Sequence, residues 1–413
     1  MPRKQTDPRA PFIPPRLPDA GRGRIHVLMV LESRYPVPLG GAEAQVRTLA
    51  KALRARGHRV TILTPLIKDW PVRRETIFRV DRVPVCRIRF PRIRWLGGAI
   101  LCARLAMFLW ARRKRYDAWH VHIVHRFGAV CGLLGRLVGK PVILKVSGAW
   151  ELEQGALATA APWTYRILHR CLLWASAWQA ISNRIASTIA ARGIPPARIA
   201  SIPNAVDTAR YRTITRASSP FPRFVFVGRM VPEKDLGILL QAFADALPSC
   251  PSAQLKLVGT GPLLASLQSL ATDLRVASNV EFCGQREDIE EVLSDADIGV
   301  LTSRIEGLSN ALLECMAAGL PMIASRVSGS EDLVRTGCNG WMFEPGDRRG
   351  LAAAMVEAAT VSHAQRAEMG LRARESVELH AGLDNVIEKL LALYRQPEVP
   401  ARAQYRRHKR LLR

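Results

Sequence analysis

The feature that most constrains the fold is an alternation of buried-strand patterns with helix-length segments along the chain. Residues 24–32 form an apolar run of the kind found in strands that are buried on both faces. Gly40 and Gly41 then open a helical pattern that ends at Gly57, a residue typical of helix C-termini. Residues 58–65 form the next strand pattern. Strands that alternate with helices form parallel sheets, so the sequence predicts an α/β protein with doubly wound sheets.

The alternation occurs in two blocks, which predicts two domains within the 413 residues. The first block is 24–212, the second is 223–383, and a Ser-, Thr-, Pro- and Arg-rich stretch at 213–222 is the predicted linker. A last helix and a basic tail occupy 384–413. Residues 1–23 are basic and proline-rich without the apolar segment of a secretory signal, and we expect a disordered leader there. Ligands of such folds bind at the carboxyl ends of the strands, which predicts a site in a cleft between the two domains.

The net charge of +25 is concentrated in the first half of the chain. Residues 1–220 hold 38 Lys and Arg against 11 Asp and Glu, whereas the remaining residues hold 22 against 24. The first half is therefore expected to face something anionic, and nucleic acid, an anionic bilayer and a diphosphate substrate all qualify. The alternative is that these side chains only solvate the surface.

The segment 95–115 combines apolar and aromatic residues with four consecutive basic residues at its end. No stretch of the chain reaches eighteen uninterrupted apolar residues, so a membrane-spanning helix is not expected. The composition of 95–115 fits a helix lying in a membrane interface and an ordinary core helix about equally well.

Metal and disulfide chemistry are poorly supported by the sequence. The eight cysteines include no C-x-x-C pair, which favours reduced thiols in the cytosol. His120, His122 and His125 could suggest a zinc site, but in a strand the first two share one face and the third points to the other. Asp295 and Asp297 spell D-x-D between a helix end and a strand, and we interpret them as structural. No metal and no cofactor are expected.

The most informative segment is 306–321, which follows a strand pattern and runs into a helix. Glu306, Gly307 and Ser309 lie where the strand ends and the helix begins, a position whose exposed amides favour anionic ligands. Gly307 lets the backbone come close to a ligand. Glu314 follows about two turns later, and two carboxylates near one site suit polyhydroxylated groups because they accept hydrogen bonds from hydroxyls.

This segment resembles the signature of the retaining glycosyltransferases of family 4, which have the GT-B fold. It matches E-G-x-x-x-x-x-x-E-x-M-A-x-G-x-P at every defined position. The resemblance implies that Glu306 contacts the transferred sugar and that Glu314 holds the nucleotide ribose. It also implies contacts to the sugar or its phosphates from the turn formed by Gly307, Leu308, Ser309 and Asn310.

Residues 227–236 resemble the family's G-R-x-x-x-x-K-G-x-x pattern, beginning at Gly228. The resemblance implies that Arg229 and Lys234 hold the donor diphosphate, Arg as a planar fork and Lys as a point charge. Two cations would neutralise the leaving group where other enzymes use a metal. Asp235 stands where the family usually has glycine, and we expect it to loosen the start of the helix.

The first block carries weaker matches to the same family. Its G-G-x-E stretch implies that Gly40 and Gly41 bring the backbone close to the diphosphate and the acceptor. Its D-x-x-H-x-H strand end implies that His120 and His122 flank the cleft, with His122 the better candidate to contact the sugar. Ser147, on the acceptor side, stands where many members have histidine. Residues 202–207 resemble I-P-N-G-V-D with alanine in place of glycine, and 258–263 contain an isolated G-x-G.

The sequence therefore predicts a metal-independent hexosyltransferase that moves a sugar from a nucleotide-sugar donor to a glycan or lipid-linked glycan, with retention of configuration. We expect it to act in cell-surface polysaccharide or glycolipid assembly, in the cytoplasm and peripherally at the inner face of the membrane. One alternative is another GT-B enzyme, an epimerase or a synthase with a soluble acceptor. The other is a non-catalytic basic protein that binds membrane or nucleic acid, and nucleic acid is disfavoured because the basic stretches lack aromatic clusters.

Overall fold

The computed structural model describes residues 23–33, 35–36, 40–67, 76–91, 93, 96–148, 151, 163–214 and 222–396. Most of the expected leader, linker and basic tail lies outside these ranges. Internal contacts divide the chain into two units. Unit 2 comprises Ile181–Ile185 and Pro203–Val386, and unit 1 comprises the rest. The sequence predicts a linker at 213–222, whereas the chain passes from unit 1 to unit 2 between Ile202 and Pro203.

Unit 1 is built on a sheet of eight strands within the described residues. The strands are β1 (His26–Val30), β2 (Arg59–Pro65), β3 (Ile77–Val80), β4 (Val83–Ile88), β5 (Ala118–Val121), β6 (Val142–Val146), β7 (Ala177–Ala180) and β8 (Ile199–Ser201). The helices are α1 (Gly41–Ala55), α2 (Gly97–Ala111), α3 (Arg126–Val138), α4 (Trp163–Leu172) and α5 (Asn183–Ala191), whose first residues belong to unit 2. Their order in the sheet is β3-β4-β2-β1-β5-β6-β7-β8, and the pairings are parallel except that between β3 and β4.

The sheet of unit 1 is covered on both faces, as its apolar strands predict. Val27, Leu28, Met29 and Val30 of β1 are fully buried, and so are all four residues of β5. After β1 the chain adds β2 on one side of it, and later returns to add β5 on the other. The strand order therefore reverses between β1 and β5, and the crevice at such a point is where open α/β sheets bind ligands.

Unit 2 carries a parallel sheet of six strands within the described residues. The strands are β9 (Arg223–Val227), β10 (Gln254–Val258), β11 (Val280–Gly284), β12 (Ile298–Leu301), β13 (Met322–Ser325) and β14 (Gly340–Phe343). The helices are α6 (Leu236–Ala246), α7 (Leu264–Asp273), α8 (Ile289–Ser294), α9 (Asn310–Ala317), α10 (Ser330–Leu333), α11 (Arg348–Thr360), α12 (His363–Ala381) and α13 (Leu383–Tyr394), whose last turns belong to unit 1. The strand order β11-β10-β9-β12-β13-β14 reverses between β9 and β12.

The predicted fold class, α/β with two doubly wound parallel sheets, is confirmed. The cleft expected between two such domains stays a prediction. Within the described residues, none of the helices combines the length and the apolarity that crossing a bilayer requires.

Two glycines of α3 provide a test of the packing in unit 1. A methyl group on Gly132 would overlap the backbone carbonyl oxygen of Cys171 in α4, whereas one on Gly128 would meet the end of the Leu172 side chain at 2.9 Å. Backbone cannot move aside as a leucine methyl can, so we expect Gly132→Ala to lower the free energy of unfolding by about 1–3 kcal/mol. Gly128→Ala should be close to neutral, because better helix propensity, worth roughly 0.5–1 kcal/mol, offsets the crowding. Urea unfolding curves measure both, and equal midpoints for the two variants would contradict this packing.

Candidate functional site

In unit 2, the loops that follow β9 and β12 meet at the point where the strand order reverses. The two strands pair in parallel, with Ile298 opposite Phe224 and Gly299 opposite Val225. Their carboxyl ends therefore lie at the same edge of the sheet. This brings together residues 228–235 and 302–310, the two segments in which the sequence predicts the donor-binding residues.

Lys234 and Glu306 form an ion pair that joins these loops. Lys234 ends the short 3-10 helix Pro232–Lys234, and its Nζ donates to Oε1 of Glu306. Ser303 Oγ donates to the same carboxylate oxygen at 3.1 Å, and Thr302 Oγ1 donates to the backbone carbonyl of Lys234 at 2.7 Å. Both charged side chains are more than four-fifths buried. One N–H of the ammonium is used in the pair, which leaves two donors for a ligand.

Asp235 does not loosen the start of α6, which corrects the sequence-based expectation. It adopts the left-handed conformation, with φ +51° and ψ +44°, that glycine would adopt there. Aspartate enters this region more often than most other L-residues. Its backbone closes the turn through Asp235 N to Pro232 O at 3.1 Å and Ile238 N to Asp235 O at 3.2 Å. Arg304 Nε donates to its carboxylate at 2.6 Å.

Arg229 lies on the turn that follows β9, and its side chain is exposed. Within the described residues its guanidinium makes neither a hydrogen bond nor an ion pair. The backbone of this turn packs directly against the backbone of the turn that follows β10. Side chains at Gly259 and Gly261 would overlap the carbonyl oxygens of Gly228 and Met230, respectively. The isolated G-x-G of the sequence is thus a packing feature that shapes the turn carrying Arg229.

The turn from Gly307 to the start of α9 is fixed from two sides. Ser309 caps α9, where its hydroxyl accepts from Leu312 N at 3.4 Å, and a side chain at Gly329 would meet Gly307 O at 2.6 Å. Asn204 is not among the predicted site residues, yet its Nδ2 donates to Leu308 O at 2.9 Å and to Asn310 Oδ1 at 3.0 Å. The resemblance of 202–207 to a family motif was the only signal that could have indicated it.

Glu314 lies partly buried on α9, in the same unit, and its carboxylate accepts no hydrogen bond from any described residue. Burial raises its pKa to about 7, with a further rise from Glu290, while the nearby charge of Arg210 opposes the shift. Arg210 does not bind it, because its Nε donates to Glu290 at 2.5 Å. Glu314 can therefore offer both oxygens to the hydroxyls of a ligand.

In unit 1, the structure corrects the assignment of His120 to the acceptor side. The side chain is fully buried, and both ring nitrogens are occupied, by Tyr394 OH at 2.7 Å and by Gln179 Oε1 at 3.0 Å. Gln179 uses its amide nitrogen on Ile202 O, so its oxygen faces the ring and His120 Nε2 must be the donor. Burial lowers the pKa of His120 to about 3. His120 thus stays neutral and connects β5 to β7 and α13.

His122, directly after β5, is also fully buried, and its ring lies 4.1 Å from that of His120. Neither ring nitrogen finds a hydrogen-bond partner among the described residues. Burial holds its pKa well below the usual value, helped by the nearby positive charge of Lys145. Ser147 Oγ donates to the backbone carbonyl of His122 at 2.8 Å, so the serine supports this residue and its hydroxyl is already in use. Buried polar atoms are normally paired, and two free ring nitrogens are consistent with a ligand contact.

Sequence reasoning missed a buried charge pair beside His122. Lys145 is 1% exposed and Glu151 is fully buried. Glu151 accepts from Val124 N and Ser147 N, each at 2.9 Å, and so joins the loops after β5 and β6. Burial raises the pKa of Glu151 and lowers that of Lys145, and the opposite charge of the partner offsets part of each shift. A lysine inside the apolar run 142–146 was the signal in the sequence.

Gly40 precedes α1 and Gly41 is its first residue, as the sequence predicts. A side chain at Gly40 would lie 2.5 Å from Oε2 of Glu43, whose carboxylate is buried and accepts from Ser33 Oγ. The absence of a side chain at Gly40 thus makes room for Glu43. The approach of Gly40 and Gly41 to a diphosphate or an acceptor stays a prediction.

Among the described residues there is no cluster of three His, Cys, Asp or Glu side chains that could hold a metal ion. Asp295 and Asp297 are both engaged by Arg223, at 2.5 Å and 2.9 Å. The D-x-D pattern is therefore part of an ion-pair network at the start of β9.

Two family models cover most of the chain. The model described as Glycosyltransferase Family 4 matches residues 39–210, and that described as Glycosyl transferases group 1 matches residues 221–360. The chain is a family 4-like glycosyltransferase. The resemblance stated from the motifs is confirmed.

Relatives and solved structures extend this finding. A GDP-mannose-dependent alpha-(1-6)-phosphatidylinositol monomannoside mannosyltransferase of Mycolicibacterium smegmatis is 25% identical to this glycosyltransferase over 381 residues, 87% of this chain and 94% of that protein. The N-acetyl-alpha-D-glucosaminyl L-malate synthase of Bacillus anthracis is 32% identical over 156 residues, 38% of this chain and 40% of that one. For several such relatives the match spans about half of their length or less. The Anabaena Alr3699/HepE structure in complex with UDP superposes with a TM-score of 0.71 at 20% identity, covering 89% of this chain and 98% of that one, and the GT-B fold is confirmed.

Proposed function

We propose that this glycosyltransferase moves a sugar from a nucleotide-sugar donor to a hydroxyl of a glycan or lipid-linked glycan. The observation that carries the proposal is the arrangement where β9 meets β12. Arg229 is exposed and unpaired among the described residues, Lys234 is held by Glu306, and Glu314 has a carboxylate without hydrogen-bond donors in the described part of the chain. Family membership and the names of the relatives support a role in polysaccharide or glycolipid assembly.

In this proposal the cations bind the diphosphate and the acids bind hydroxyls. Arg229 and the two free N–H groups of Lys234 neutralise the charge that develops on the leaving nucleoside diphosphate, which is the main electrostatic task of the reaction. They take the place that a metal ion has in other sugar transferases, so the reaction should proceed without one. Glu306 contacts the transferred hexose and Glu314 the ribose, as the family resemblance implies.

We also propose that the anomeric configuration is retained. The bond between the anomeric carbon and the donor phosphate oxygen breaks, and the acceptor oxygen bonds to that carbon from the same face. The leaving phosphate oxygen takes the proton of the acceptor hydroxyl, so the atoms balance without a protein nucleophile. Glu306 is engaged by Lys234 and Ser303, which suits a hydroxyl-binding and positioning role.

Helix α2 supports peripheral attachment to an anionic membrane. Its inner stripe, Leu101, Leu105 and Leu109, is buried within unit 1, as in an ordinary core helix. Its outer surface is unusual, because Met107 is 63% exposed and Trp110 is 51% exposed where a surface helix is normally polar. The basic residues 112–115 follow the end of the helix. We propose that this outer face lies among the headgroups of an anionic bilayer on its cytoplasmic side.

The donor site is tested by binding. In a thermal-shift screen of UDP, GDP, ADP and TDP sugars, one class should raise the melting temperature by mass action. Affinity for that donor should rise between about pH 6 and pH 8, because the pKa of Glu314 near 7 leaves its carboxyl group partly protonated below that value and only the carboxylate accepts two hydroxyls. Glu314→Gln should weaken binding at pH 8 by about tenfold or more and remove the pH dependence, since hydrogen bonds to a charged group contribute about 1.5–3 kcal/mol.

The matched control is Glu357→Gln, which removes the same charge from an exposed position on α11 of the same unit. It should bind the donor as the unsubstituted protein does, with the pH dependence intact. The ribose assignment is wrong if Glu314→Gln behaves like Glu357→Gln. An epimerase would instead interconvert free nucleotide sugars without an acceptor, and product analysis of the same mixtures would reveal it.

Membrane attachment is tested by flotation with phosphatidylcholine vesicles that contain about 30 mol% of the anionic lipid phosphatidylglycerol. We expect the protein to float, and Met107→Ser combined with Trp110→Ser to reduce the floated fraction severalfold, because the apolar contact is lost. Leu371→Ser, which removes a 58% exposed leucine from α12, is the control and should float normally. Failure of the unsubstituted protein to float at moderate salt would contradict the attachment.

A further inference from the structure

Unit 1 contains a cavity of about 510 Å³ that none of the predicted site residues lines. Its volume falls in the range of roughly 300–1,000 Å³ typical of small-molecule sites. Its walls come from the segments after β1, β2 and β4 and from the first turns of α2 and α3. These walls are formed by Glu32, Pro65, Ile67, Phe90, Ile93, Gly97, Gly98, Leu101 and Arg126. The cavity therefore opens at the edge of the sheet where the parallel strands end, which is the ligand-binding edge of such folds.

Arg126 lines the cavity with a positive charge that no described residue neutralises by an ion pair. Its side chain is exposed, and it forms no hydrogen bond or ion pair with the residues that the structure describes. One guanidinium nitrogen lies so close to Gly98 that a side chain there would be 2.6 Å from it. The missing side chain at Gly98 thus leaves room for the guanidinium at the start of α2. The amides of that first turn have no side-chain cap and add to the positive potential.

Glu32, the acidic residue of the wall, does not form an ion pair with Arg126. Glu32 Oε1 accepts from His125 Nδ1 and Glu32 Oε2 accepts from Phe127 N, each at 3.0 Å. Both carboxylate oxygens are thus used to fix the start of α3. The planar donors of Arg126 remain available, and a guanidinium binds phosphate or carboxylate oxygens through two parallel hydrogen bonds.

The rest of the wall that the described residues form is apolar. Phe90, Ile67 and Leu101 face the cavity together with Ile93, which is 51% exposed. Among the described residues the cavity thus combines an apolar wall with one unpaired cation, which suits an amphiphile with an anionic group close to a hydrocarbon chain. The same α2 whose first turn lines the cavity carries Met107 and Trp110 on its outer face. A lipid anchored where that face meets a bilayer would therefore be close to the cavity.

We propose that this cavity binds the acceptor, and that the acceptor is a glycan linked through a phosphate group to a hydrocarbon chain. Arg126 binds the phosphate, and Phe90, Ile93 and Leu101 contact the first part of the chain. The assignment of the ligand as an acceptor rests on the proposed function. The chemistry of the cavity, an anion next to a hydrocarbon chain, can be tested without it.

Decyl phosphate below its micellar concentration is the probe, and isothermal titration calorimetry measures its affinity. Arg126→Ala should weaken binding by about tenfold or more, because a charge-assisted bidentate contact is lost. Arg136→Ala is the matched control, since it removes the same charge from an exposed position at the other end of α3, and its affinity should stay within about twofold of the unsubstituted protein. Equal affinities of the two variants would overturn the role of Arg126.

Further measurements distinguish a phosphate-bearing lipid from free phosphate as the ligand, and the cavity from the outer face of α2 as the place where it binds. Ile93→Ser should weaken decyl phosphate and leave inorganic phosphate unchanged, because only the hydrocarbon chain touches Ile93. If inorganic phosphate binds as tightly as decyl phosphate, the lipid class is wrong. Trp110→Ser should leave decyl phosphate binding unchanged, and a loss there would place the probe on the outer face of α2 instead.

Donor binding by the same variants distinguishes this inference from the proposed function. Arg126→Ala should keep the thermal shift with the nucleotide sugar, since unit 2 is untouched. Donor binding without decyl phosphate binding overturns the cavity and leaves the proposed function intact. Decyl phosphate binding without binding of any nucleotide sugar would confirm the amphiphile site and overturn the proposed function.

Discussion

The ion pair between Lys234 and Glu306 is the interaction on which the proposed donor site depends. Parallel pairing of β9 with β12 delivers two loops, far apart in sequence, to one edge of the sheet. The pair then joins them with two mostly buried charges that neutralise each other. Removing either partner would leave the other charge buried and uncompensated, which is costly. The backbone supports the same geometry through the left-handed turn at Asp235 and the carbonyl of Lys234, which accepts from Thr302.

Unit 1 concentrates buried polar groups at the end of β5 and β6. His120 is fully satisfied by Tyr394 and Gln179 and therefore contributes to the core, whereas His122 next to it has two unpaired ring nitrogens. Glu151 holds the loops around His122, and together with Lys145 it places two buried ionisable groups there. Such costs are usually retained where a ligand or a fixed loop geometry is needed.

Much of the fold could be predicted from the sequence, because most strands are short apolar runs and the segments between them have the length and the apolar spacing of helices. The meeting of residues 228–235 with 302–310 followed as well, since carboxyl ends of parallel strands share an edge. The inward position of His120 could not be predicted, because it depends on Tyr394, 274 residues away. Asn204 was missed for the same reason, since its partners lie more than 100 residues further on. The period of a strand identifies which residues share a face, but it does not tell which face meets the core and which meets a ligand.

The most direct test of the account is a double-mutant comparison at the ion pair. Calorimetry would measure the affinity of the donor's nucleoside diphosphate for Lys234→Met, Glu306→Gln and the double variant. Lys234→Met should bind about tenfold or more weakly, because it removes a cation and leaves Glu306 to repel the phosphates. The double variant should bind severalfold more tightly than Lys234→Met, since the repulsion is gone. A double variant that binds no better than Lys234→Met would contradict the claim that this pair sets the charge at the donor diphosphate.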